Sequence, residues 1–174
     1  MNRKAARLLD CLDRLDAPKL IVEVGSLRYD GEIASEGFSS AYIAAWCCSH
    51  DCRFITIDIE PEHSRITRRA LQARNLQADI VIGDALPLLA GLPAWIDCLY
   101  LDGPFDPELN MSQLMACLDR LRQLVLIDDT QDEQGQQYGK GTAVIPYLES
   151  IGWQVEHWAT EPKYRMTSCW RDSR

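Results

Sequence analysis

Five carboxylates stand out by where they fall. Asp58, Asp84, Asp102 and the pair Asp128–Asp129 each close a short apolar run: RFITI, ADIVIG, IDCLYL and QLVLI. Runs of this length and composition read as buried strands. In an open parallel sheet ligands bind outside the carboxyl ends of the strands, so these acids would lie along one binding rim. Carboxylates held together repel unless a cation, a hydroxyl donor or water answers each charge.

Asp102 and Asp128 end consecutive strands. Paired strands lie about 4.8 Å apart, close enough for Asp102, Asp128 and Asp129 to converge on one hard divalent cation such as Mg2+. Without an ion, Asp102 is placed to serve as a general base. Lys140 is the second catalytic candidate; it, Tyr138, His157 and Lys163 are reserve groups for base or substrate contact, and each reads most simply as a solvated side chain. His63, early in a helical run, reads as an exposed polar residue or a contact over a ligand.

The elements that must position these groups follow from the pattern of the chain. LIVEV at 20–24 is a continuous apolar strand. It turns at Gly25 into a polar loop, and a second glycine, Gly37, opens the helical run GFSSAYIAAW. A strand–glycine–helix unit directs backbone N–H groups and a helix N-terminus at a ligand. Further helices are expected from Pro61, around 86–90, over 107–122 and over 142–150. WQVEHWAT and YRMTSCWR read as a closing antiparallel pair. Alternating strands and helices specify a doubly wound, Rossmann-like α/β fold, with a mostly parallel seven-stranded sheet, a C-terminal antiparallel pair and helices on both faces. Residues 3–15 carry Leu8, Leu9, Cys11, Leu12 and Leu15 at helical spacing, a leading amphipathic helix expected to pack on the sheet.

Composition narrows the function. The 174 residues read as one domain, 1–174, with 1–17 as the leading helix and 26–36 as an inserted loop. A net charge of -8 argues against a nucleic-acid backbone as the main partner and favours a small cationic or neutral ligand. No apolar run has the length of a membrane span and the N-terminus lacks a signal-peptide core, so a cytoplasmic protein without a membrane partner is expected. A homodimer stays open. Seven cysteines spread over apolar segments read as reduced thiols. The cluster Cys47, Cys48, His50 and Cys52 has no zinc-knuckle spacing and reads as helix-end packing.

Taken together, VEVGS with the later GFSS, ITIDIEP, IGDA, LYLDG and LVLIDDT stand in an order and at spacings that resemble class I S-adenosylmethionine (SAM) dependent methyltransferases, in the small O-methyltransferase-like branch. The resemblance covers nearly the whole chain from Lys19 onward. It implies SAM as cofactor and methyl transfer, expected at a hydroxyl oxygen of a small-molecule acceptor. Glu23, Gly25 and Ser26 would receive the methionine end, with Gly37, Ser39 and Ser40 at the helix N-terminus. Asp58, with Ile59 beside it, would accept the ribose hydroxyls. Asp84 and the Ala85 backbone would meet the adenine, and Asp102 would lie near the transferred methyl.

Metal-dependent members hold a divalent ion with Asp, Asp and Asn, and Asp129 falls where that Asn stands. The departures are the absence of a lysine or histidine after Asp102-Gly103, and the long stretch SLRYDGEIASE between the two glycines. That stretch is expected to cover the methionine end of SAM or to meet the acceptor. Two rivals remain. A non-catalytic SAM- or nucleotide-binding domain would share the cofactor site. An NAD(P)-dependent oxidoreductase would want GxGxxG after the first strand, where this chain has Gly25-Ser26-Leu27-Arg28.

Overall fold

The computed structural model describes residues 3–28, 38–92, 94–131, 139–161 and 164–171. Fourteen segments of regular structure succeed one another: α1 (Arg3–Leu12), β1 (Leu20–Val24), α2 (Ser39–Ser49), β2 (Arg53–Asp58), α3 (Pro61–Gln72), β3 (Asp79–Ile82), α4 (Ala85–Gly91), β4 (Ile96–Leu101), α5 (Pro107–Met115), a 3-10 turn (Leu118–Arg120), β5 (Leu121–Ile127), α6 (Gly141–Ser150), β6 (Gln154–Glu161) and β7 (Tyr164–Trp170). The seven strands form one sheet in the order β3-β2-β1-β4-β5-β7-β6. β1 to β5 pair in parallel, and β7 runs antiparallel to both β5 and β6. The expected fold class is the one observed.

Strand order reverses between β1 and β4, where the chain first builds outward to β3 and then returns to build the other way. Helices leaving neighbouring strands toward opposite faces open a crevice at such a point.

The twofold alternation of strand side chains decides which groups meet. Val22, Val24, Leu99, Leu101, Val125 and Ile127 face one layer, with Leu89 of α4, Leu114 of α5 and Val144, Ile145 and Leu148 of α6. Ile21, Phe54, Tyr100, Leu124 and Leu126 face the other, with Leu8, Cys11 and Leu12 of α1, Ala44 and Trp46 of α2, and Ile66 and Leu71 of α3. Continuing that alternation by one step puts Glu23, Asp102 and Asp128 on the side of α1 and α2.

Two boundaries differ from the expected pattern. α5 ends at Met115 rather than at 122, because the Arg120 guanidinium donates to the carbonyls of Leu89, Leu92 and Ala116 and holds the 3-10 turn in place of another helical turn. Leu121 and Arg122 consequently belong to β5. α1 packs as expected, against α2, β6 and β7. Its far end is tied by Arg14, which donates twice to Glu156 and stacks 4.0 Å over the Trp170 ring.

Candidate active site

A cavity of about 520 Å³ opens at the carboxyl ends of β1, β2, β3, β4 and β5. Gly25, Ser26, Asp58, Ile59, Asp84, Ala85, Asp102, Asp128 and Asp129 all line it, so the row of strand-end acids read from the sequence does share one rim. Among the described residues Asp102, Asp128 and Asp129 are the one cluster of three or more potential metal-ligating groups, with a ligand atom from each within 4.8 Å of the others.

Gly25 is required by its neighbours. Its φ of +93° lies in the left-handed region, and a Cβ would stand 2.7 Å from the Asp102 carbonyl carbon. Only glycine lets the end of β1 pass this close to the end of β4. The glycine therefore closes the floor of the crevice by admitting the β4 backbone.

Glu23, expected with Gly25 and Ser26 at the methionine end of the ligand, is not among the residues that line the cavity. It is wholly buried, beneath the cavity wall rather than on it, accepting from Ser39 Oγ at 2.7 Å, Ser40 Oγ at 2.6 Å and Thr56 Oγ1 at 2.8 Å. Ser39 and Ser40 spend their hydroxyls inward, so Glu23 acts as a clamp between β1, β2 and the start of α2. Burial pushes its carboxyl up to about 7, against the pull of the three hydroxyls. Gly37 and most of the long loop, residues 29–37, lie outside the described residues, as do Tyr138 and Lys163. The start of the loop is pinned by Leu27, buried, whose N–H donates to Thr67 Oγ1, and Arg28 lines the cavity.

Asp58 ends β2 with both oxygens engaged. Oδ2 accepts from Ser26 N and Ser26 Oγ at 2.9 Å, Oδ1 from Glu60 N at 2.9 Å, and His63 Nδ1 lies 3.3 Å from each. It is not the N-cap of α3, a position Glu60 fills. His63, expected to be an exposed residue or a ligand contact, is half-buried on the cavity wall. Asp84 does cap its helix, accepting from Leu86 N at 3.0 Å with Oδ1. Ile59 is 65% exposed at the cavity edge, an apolar surface without a protein partner to cover it.

The charges around Asp102 are answered by two lysines. Lys140, expected to be solvated, is 3% exposed and donates to Asp102 Oδ1 at 2.7 Å and Asp129 Oδ2 at 3.4 Å. Lys4, from the first turn of α1, is 7% exposed and donates to Asp128 Oδ2. Burial alone would lower both lysines, but the three carboxylates hold both above the ordinary lysine value. Asp102 is pushed up to about 6 by burial and by Asp128, with the lysines opposing. Asp128 also pays for burial, yet the lysine charges hold it below the usual carboxylate range. His157 stands apart from the cavity, its Nδ1 2.9 Å from Thr167 Oγ1 on β7.

Lys4 lines the cavity without being among the residues expected there. The signal was there: Lys4 shares a helical face with Leu8, Cys11, Leu12 and Leu15, and a lysine on the buried stripe of an amphipathic helix needs a buried partner.

The sheet order gives a Rossmann-like fold that solved SAM-dependent methyltransferases share. The O-methyltransferase TomG from Streptomyces achromogenes, in complex with SAM, superposes with a TM-score of 0.68 at 18% identity, over 98% of this chain and 80% of its own. A methyltransferase from Geobacter sulfurreducens gives 0.67 at 18% identity over 98% and 79%, and an rRNA methylase from Streptococcus thermophilus 0.64 at 14% over 98% and 98%. No protein-family model matches the chain, and no curated protein sequence matches it. No helix among the described residues is long and apolar enough to cross a membrane.

Proposed function

We propose that the protein is a SAM-dependent methyltransferase that methylates a hydroxyl oxygen of a small molecule, with Asp102 as general base and Lys140 as its orienting partner. The observation that carries this reading is the cavity at the β1/β4 reversal, lined by acids from four successive strands.

The lining suits the cofactor. Asp58 at the end of β2 offers carboxylate oxygens to a diol, with Ser26 Oγ and His63 as bonds that can be exchanged. Ile59 offers an apolar face to a flat ring, and Asp84 and Ala85 border the same space. SAM supplies an activated methyl on a sulfonium cation. The three carboxylates Asp102, Asp128 and Asp129 carry one negative charge more than Lys4 and Lys140 neutralise, which complements a single positive charge.

Transfer is an in-line displacement: a bond forms from the acceptor oxygen to the methyl carbon as the sulfur–carbon bond breaks, leaving a neutral thioether. The chain's task is to hold the partners in line and remove the acceptor proton. Asp102, with its carboxyl near 6, is ionised at neutral pH yet basic enough to take that proton. Lys140 fixes the carboxylate through the 2.7 Å bond to Oδ1. A divalent ion fits this arrangement poorly, because each of the three carboxylates already has an ammonium partner and the two lysine charges take the place of the ion's.

Incubation with methyl-tritiated SAM and a pool of small phenols and alcohols, beside an RNA arm, tests the reading. Label in a small hydroxyl compound is the expected result. Label in RNA alone would replace the acceptor class, and SAM binding without any transfer would favour a cofactor-binding module.

A further inference from the structure

We propose that Lys4 and Lys140 stand in the place of a divalent cation, making the acceptor side of the cavity a metal-free site of which α1 is a working part. The inference rests on the proposed methyl transfer and adds to it the source of the positive charge beside the acceptor.

Asp102 and Asp128 end adjacent parallel strands, paired up to Leu101 and Ile127, and Asp129 turns back toward them through a left-handed backbone with φ of +49°. That is a carboxylate trio compact enough for one ion. Yet each member has an ammonium partner: Lys4 on Asp128, and Lys140 on Asp102 and Asp129. The lysines come from opposite ends of the chain. Lys4 descends from α1 on one face of the sheet, and Lys140 enters at the start of α6 after Gly139, whose hydrogen in place of a Cβ admits the Phe105 ring. Phe105 in turn lies 5.7 Å from the Lys140 ammonium.

Two ammonium groups and a divalent ion bring the same charge, so the trio can be neutralised by either but not by both. Admitting a dication would leave a buried excess of positive charge beside a sulfonium, which is unfavourable in a low-dielectric crevice. Asp128 is 2% exposed and its Oδ1 accepts from no donor in the described structure, in keeping with a trio that retains one uncompensated negative charge for the cofactor. The lysines are tethered, so α1 must be docked for the site to be complete. Lys4 is then a positioning residue acting through Asp128.

Mn2+ alone, titrated into the full chain and followed by electron paramagnetic resonance, tests the proposal without needing an acceptor. The wild type is expected to leave millimolar Mn2+ free. The double variant Lys4→Met, Lys140→Met, checked for folding by circular dichroism, is expected to gain one saturable Mn2+ site that Asp128→Asn removes. Saturable Mn2+ binding by the wild type, lost in Asp128→Asn, would overturn the proposal, and this arm stands even if the double variant does not fold. A folded double variant that leaves Mn2+ free would overturn it too. SAM binding, measured separately by calorimetry, tells failure of this inference from failure of the methyltransferase reading itself.

Discussion

Lys4, on the first turn of α1, donates a hydrogen bond to Asp128 at the end of β5, 124 positions further along the chain. Both side chains are buried. The contact joins the leading helix to the sheet at the point where the cavity needs positive charge, so α1 serves the site as well as the core.

Gly25→Ala tests the crossing of β1 and β4. The methyl would collide with the Asp102 backbone and the φ of +93° is strained for alanine. The expected loss is about 3 kcal/mol or more in urea unfolding. A loss below about 1 kcal/mol, or the gain of about 0.4–1 kcal/mol that an unstrained glycine-to-alanine replacement gives, would contradict the close approach.

Glu23 predicts a pH dependence of stability. Its carboxyl is raised to about 7 by burial, against an ordinary value of 4.5. Below 4.5 both folded and unfolded chains hold the proton, so this stabilising uptake is fully present. Between 4.5 and 7 only the folded chain keeps it, and stability falls as pH rises, by on the order of 3 kcal/mol in all. Other groups titrate as well, so the measurement is the difference between wild type and Glu23→Gln in melting temperature from pH 4 to 8. The variant should lose this downward slope. Parallel curves would contradict an ionisable, buried Glu23.

Lys140→Met should move the base. Removing the ammonium raises the Asp102 carboxyl further above 6, so the acidic limb of the pH–rate profile shifts to higher pH. Turnover at pH 7 should fall by roughly 100-fold, within the range of lost acid–base catalysis. Lys140→Arg should return the limb toward its original position, and SAM binding should be nearly unchanged in both. A fall in rate with the limb unmoved would assign Lys140 a purely structural role.

The sheet and its rim were legible because the signals are local. Unbroken runs such as LIVEV and IDCLYL mark buried parallel strands, and the acid closing each run falls on the carboxyl edge once the strands are parallel. Less visible was anything fixed by packing across the sheet. Glu23 looks like a ligand contact until the alternation of β1 and β2 sets it against Ser39, Ser40 and Thr56. Lys140 looks solvated in its polar loop, and its burial follows from the approach of Phe105 and Asp102. Asp84 shows the limit from the other side, since its helix-capping bond to Leu86 N is local and leaves its place on the cavity rim unchanged.

Occupation of the β1/β4 crevice by SAM is the central requirement for the proposed reaction, and calorimetry with SAM tests it most directly. The wild type should bind with a dissociation constant between about 1 μM and 1 mM, the usual range for enzyme substrates. Asp58→Ala should weaken binding by about 10-fold to 100-fold, as for a lost hydrogen bond to a charged group. No binding by the wild type at millimolar SAM, or binding indifferent to Asp58→Ala, would contradict it.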